Sequence, residues 1–147
     1  MTRNFYGLAL CAMLFALSFP AEAQQQSRLP RIGFVSRDGD LGQPGTRVDA
    51  FRRALREIGY TEGKNILVEY RYISGMTGQI ERLVTELLQE KVDVLILTPQ
   101  PAIRAAKQAT KTVPIVMVTT QDPVGGGFIN SLAKPGGNVT GLSFLDP

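Results

Sequence analysis

From Arg31 onward, short and nearly continuous apolar runs take turns with longer stretches in which apolar residues recur every three or four positions. The runs Arg31–Ser36, Ile66–Tyr72, Val92–Leu97, Ile115–Thr119 and Val139–Leu142 are rich in β-branched and aromatic residues and predict strands. After the first run, residues 37–45 concentrate glycine, aspartate and proline and read as a loop. Val48, Phe51, Leu55 and Ile58 then share one helical face, and Gly59 supplies the stop. Ile80, Leu83, Val84, Leu87 and Leu88 form a second amphipathic stripe. An alanine-rich helix is predicted from Ala102 to about Thr110, with Pro101 in its first turn. A short helix through Ile129 and Leu132 is expected to lead, by way of the turn at residues 134–138, into the last strand.

Strands separated by single helices, and apolar without alternation, predict an α/β fold: a doubly wound, parallel five-stranded sheet in the order 2-1-3-4-5. In such a sheet ligands bind outside the carboxyl ends of the strands, where the order reverses between strands one and three. That rule nominates Ser36 and Arg37 after strand one, Thr98 and Gln100 after strand three, and Thr119, Thr120 and Asp122 after strand four. Thr98 is the sharpest candidate. Its hydroxyl and the amides at the start of the following helix face one space, which suits a carboxylate or phosphate, although the same threonine would serve as a plain helix cap. Of Thr119 and Thr120, one must face the sheet interior. Arg37 either meets an anion or is solvated.

The first 23 residues change the picture of where the chain works. Arg3, an apolar stretch from Phe5 to Phe19, and Ala21-Glu22-Ala23 before Gln24 match an export signal with a small-x-small cleavage site. The stretch is short for a spanning helix, and Pro20 ends it. A signal peptide over 1–23, a polar linker over 24–30 and one α/β domain over 31–147 are therefore expected, with the mature protein in the periplasm. Cys11, the chain's one cysteine, falls inside the signal, so the fold must rest on its apolar core. The formal net charge is +3, and the basic residues are scattered on helix faces without interleaved aromatics, which argues against a nucleic-acid partner.

Catalytic chemistry has little to work with. There is no histidine, and the expected mature chain has no thiol, which excludes the usual nucleophile-base pairs and the common zinc sets. No phosphate-binding P-loop occurs, and Gly125-Gly126-Gly127 lacks dinucleotide-loop spacing. Asp38, Asp40 and Asp93 fit turn chemistry better than an acidic site. No catalytic residue, metal or cofactor is expected.

Several segments resemble, in order and spacing, the ABC transporter substrate-binding family related to the tryptophan and tyrosine uptake proteins. They are Arg31-Ile32-Gly33-Phe34, the stretch from Phe51 to Ile66, Lys91 to Ile96, Ala105 to Thr110, Val113-Pro114-Ile115-Val116, Asp122-Pro123-Val124 and Leu132 to Gly141. The resemblance implies the first lobe of a type I periplasmic binding protein, which closes with a second lobe on a small ligand and delivers it to an ABC permease in the inner membrane. It also implies that hydroxyls and amides at the strand ends hold the ligand carboxylate, a role that falls on Thr98, Gln100, Thr119 and Thr120. The segment from Arg37 to Gly42 departs from the aromatic-amino-acid signature of the family, so the resemblance does not name the ligand. The resemblance implies that family members continue through a second lobe, which this chain is expected to lack. The chain is thus expected to be a fragment that binds weakly alone and exposes an apolar patch. An exported flavodoxin-like enzyme using Asp122, or a truncated reading frame without function, are the alternatives.

Overall fold

The computed structural model describes residues 28–40, 42–73 and 77–144. The expected leader, its cleavage site, Cys11 and most of the linker lie outside the described residues. Among the described residues, no helix is long and apolar enough to cross a membrane.

The described chain alternates β1 (Arg31–Ser36), α1 (Thr46–Glu57), β2 (Leu67–Tyr72), α2 (Ile80–Gln89), β3 (Val94–Leu97), α3 (Gln100–Ala109), β4 (Ile115–Thr119) and β5 (Val139–Ser143), with a 3-10 turn at Thr77–Gln79 ahead of α2. All strand pairs are parallel, and the sheet order is β2-β1-β3-β4-β5. The pleat sorts the apolar runs onto two faces. Along β3, Leu95 and Leu97 are fully buried with Val84 and Leu87 of α2 and Ile103 and Ala106 of α3. Val94 and Ile96 turn the other way and pack with Ile32, Phe51 and Leu55 beneath α1. Covering on both sides is why this strand reads as a continuous apolar run. Beneath α1, the Phe34 ring of β1 lies 4.9 Å from Phe51 and 5.8 Å from Tyr70.

Two helix ends explain small shifts from the expected boundaries. After α1, Tyr60 N–H donates to Leu55 O (2.8 Å) and Gly59 N–H to Arg56 O (3.0 Å), with Gly59 at φ 89°, which is a Schellman ending. Ile58 sits in this ending, outside the apolar stripe, and is 69% exposed. After α2 the same pattern recurs, with Lys91 in the left-handed position at φ 57° and the Val92 N–H reaching Leu87 O at 3.4 Å. Val92 closes this helix end, so β3 begins at Val94, two residues later than the apolar run suggests. Similarly, Ile66 is buried but its carbonyl accepts from Gly63 N–H (2.8 Å), and β2 begins at Leu67.

The expected helix through Ile129 and Leu132 does not form. Asp122 instead takes the Val124 N–H on its carboxylate (2.9 Å), and successive turns follow through Gly126 and Gly127. Phe128 and Ile129 plug the core on the α3 side, whereas Leu132 is 66% exposed. Consecutive glycines make a helical turn entropically costly here, and a stripe of one buried apolar pair is too short to offset it. At the sheet edge, Leu142 of β5 and Phe144 just beyond it are each 59% exposed.

Candidate functional site

The order reversal sends α1 to one side of β1 and β3 to the other, so the loops after β1 and β3 diverge at their carboxyl ends. A cavity of about 660 Å³ opens there, within the range of small-molecule sites. Its walls are Arg37 and Asp38 after β1, Arg47 in the first turn of α1, Thr98 to Pro101 at the start of α3, Val118 to Gln121 at the end of β4, and Phe144 after β5.

The described residues of the loop after β1 are tied by local hydrogen bonds. The buried Ser36 hydroxyl accepts the Asp38 N–H (3.0 Å), and the Asp40 carboxylate accepts the amides of Gly42 (2.7 Å) and Gln43 (2.8 Å). Gly39 and Gly45 approach so closely that a Cβ on Gly39 would stand 2.3 Å from the Gly45 nitrogen, and Gly39 has φ 85°. This fold-back brings Arg47 beside Asp38, whose carboxylate accepts from the guanidinium in an ion pair. Arg37 is exposed on the same loop, and no carboxylate among the described residues pairs with it.

Across the cavity, Thr98 leaves β3 with its N–H on Val35 O (3.2 Å) and its hydroxyl 3.4 Å from the same oxygen. It does not cap α3, whose N-cap is Pro99 with no side-chain bond. The helix start is also less rich in amides than expected. Pro101 has no N–H, and Ala102 and Ile103 both donate to Pro99 O (3.0 and 3.2 Å), which leaves the Gln100 amide of the first turn without an acceptor among the described residues. The Gln100 side chain donates to the Gln121 side-chain oxygen, joining the β3 and β4 walls. Thr119 is buried, and its hydroxyl accepts the Gln121 N–H (3.2 Å), while Thr120 is exposed, so it is Thr119 that faces the interior. Ser143 donates to Gln121 O (3.2 Å), and Phe144 N–H to Thr119 O (2.9 Å), which ties the β5 end to this wall.

The cavity therefore gathers Arg37, Thr98, Gln100, Thr119 and Thr120 of the residues nominated from the sequence. Ser36 and Asp122 are not among its walls, because the hydroxyl of Ser36 and the carboxylate of Asp122 each serve the turn that follows. The walls also include residues not nominated from the sequence: Pro99, Pro101 and Val118, which flank nominated positions, and Asp38, Arg47, Gln121 and Phe144. Gln121 and Phe144 were within reach, since they lie within two residues of the ends of β4 and β5. Arg47 was not, because its place depends on how the glycines of the loop fold back. The walls offer hydroxyls, amides and two guanidiniums, with no arrangement of nucleophile and base. Among the described residues, no cluster of metal-binding side chains occurs.

A model of the ABC transporter substrate binding protein family matches residues 34–147. A tyrosine-binding protein of Clostridioides difficile (strain R20291) is 36% identical over 93 residues, covering 63% of this chain and 27% of the relative. Among solved structures, a domain from Streptococcus pneumonia in complex with L-Trp superposes with a TM-score of 0.66 at 25% identity, over 79% of this chain and 39% of that one. A conserved domain protein of Vibrio cholerae gives a TM-score of 0.70 at 32% identity, over 82% of this chain and 40% of that one. The chain thus spans well under half the length of each of these three proteins. Its sheet, in order and direction, is that of one periplasmic-binding-protein lobe.

Proposed function

The chain belongs to the ABC transporter substrate-binding protein family, and on that premise we propose that it supplies one wall of a ligand-capturing cleft. The captured molecule is small and polar or amino-acid-like, and it passes unchanged to an ABC permease. The leader over residues 1–23 would place this work in the periplasm.

The observation that carries this reading is the cavity at the point of strand-order reversal, where hydroxyls, amides and guanidiniums converge and no catalytic pair accompanies them. In this assignment the Thr98 hydroxyl turns from its long contact with Val35 O to the ligand carboxylate, which also takes the Gln100 N–H, and Thr120 adds a hydroxyl from the facing wall. Thr119, bonded to the Gln121 amide, holds that wall in place. Arg37 supplies charge from the rim. Charge-assisted hydrogen bonds are stronger than neutral ones, which suits a carboxylate as the anchored end. A second lobe closing over the open side would remove the ligand from water and strengthen each of these contacts.

Equilibrium dialysis with L-tyrosine and L-tryptophan tests the assignment. Thr98→Val, which keeps the shape and removes the hydroxyl, is expected to weaken binding by roughly tenfold, the order of one hydrogen bond to a charged group. Unchanged affinity in both Thr98→Val and Thr120→Val would remove the strand-end hydroxyls from the site.

A further inference from the structure

Two guanidiniums, of Arg37 and Arg47, line the cavity against a single carboxylate, that of Asp38. Asp38 is already taken, because it is paired with Arg47. We propose that Arg37 and Arg47 form a two-point anion clamp that selects a ligand of net negative charge, a small dicarboxylate, with Asp38 occupying Arg47 as an internal stand-in until the ligand displaces it. The inference rests on the capture reading above and narrows its ligand class.

Three features lead there. The loop that carries Arg37 and leads to Arg47 is tied by its own hydrogen bonds, so the backbone at the base of both side chains needs little ordering on binding. Asp38 and Arg47 are both well hydrated, with side-chain exposures of 37% and 54%, so their pair is weak and can open without burying a lone charge. The remaining walls are mostly polar: Thr98, Gln100, Thr120 and Gln121 accept or donate hydrogen bonds, and Phe144 sits at the edge. A zwitterion with one carboxylate would satisfy one arginine and leave the other with Asp38. A dianion satisfies both and returns Asp38 to water.

The test is equilibrium dialysis of the chain against succinate and L-tyrosine, with Arg47→Gln and Asp38→Asn as variants. Succinate is expected to bind roughly tenfold more tightly than L-tyrosine, the order of one added charge-assisted contact. Arg47→Gln should weaken succinate by roughly tenfold and so abolish that preference. Asp38→Asn, which removes the competitor, should tighten succinate several-fold. If L-tyrosine binds more tightly and Arg47→Gln leaves both ligands unaffected, the clamp is wrong and the capture reading stands. If neither ligand binds at any concentration, both fall together. Were Asp38→Asn to weaken succinate while the fold, followed by circular dichroism, stays intact, Asp38 would hold Arg47 in place for the ligand and the stand-in role would be overturned.

Discussion

Replacing Gly141 by alanine should detach the edge of the sheet on which the β4 wall of the cavity depends. Gly141 has φ 147°, and a Cβ there would lie 1.9 Å from the Met117 carbonyl oxygen and 2.7 Å from the Met117 nitrogen. Both atoms are backbone of β4, so no rotamer change relieves the overlap, and the strands must part. Met117 and Gly141 are register partners at the centre of the β4–β5 ladder, which runs from Ile115↔Val139 to Thr119↔Ser143. The strained backbone costs about 1–3 kcal/mol, and losing one or two ladder hydrogen bonds adds about 0.5–1.5 kcal/mol each. A loss of about 2–5 kcal/mol is a large share of the stability of an ordinary small domain. With a urea slope of about 2 kcal/mol per molar, the unfolding midpoint should fall by roughly 1–2.5 M. Gly137→Ala is the control, because nothing lies within 4 Å of its added Cβ, and its midpoint should hold to within the equivalent of about 0.5 kcal/mol. A Gly141→Ala midpoint equal to that of Gly137→Ala would refute the close approach of β5 to β4.

Lys91→Gly should stabilise the chain by about 0.5–1 kcal/mol, since Lys91 holds the left-handed position of the α2 ending that glycine occupies after α1; a urea midpoint that fails to rise would contradict this. The Tyr70 phenol is pushed well above its ordinary value, first by burial and then by the hydrogen bond it donates to Glu62, with Arg52 pulling the other way. A raised value means that the folded state keeps a proton which the unfolded state releases above about pH 10. Its stability contribution is therefore complete below that pH and is lost as the pH climbs through the folded value. Tyr70→Phe should flatten the fall in urea midpoint between about pH 10 and pH 11, without abolishing it, because burial raises Tyr72 as well; an unchanged slope would exclude Tyr70 from this role.

The sheet was legible in the sequence because each central strand is covered on both faces, so the apolar runs of β1, β3 and β4 carry their own boundaries to within two residues. What the runs could not show was how helix endings use flanking residues. Val92 is as apolar as the strand after it, yet its amide finishes α2. The missing helix at Leu132 failed for a related reason: Ile129 and Leu132 stand at helical spacing, yet of this segment only Phe128 and Ile129 reach the core. The site was legible as far as topology fixes it. Thr98, Gln100, Thr119 and Thr120 stand at strand ends, and the reversal rule gathers them. Ser36 and Asp122 meet the same rule but direct their polar atoms into local turns, which spacing does not reveal. Arg47 and Asp38 come together only through the fold-back of a glycine-rich loop, a tertiary event that no periodicity records.

The central claim, that the strand-end cavity between the β1 and β4 walls is the ligand surface, is most directly tested by titrating the nitrogen-labelled chain with L-tyrosine and with succinate while following every backbone amide. Saturable shifts confined to Arg37, Thr98, Gln100, Thr120 and Gln121 are the result predicted here. Shifts gathered instead at the far end of the sheet, around Ile58 and Tyr60, or none with either ligand, would contradict it.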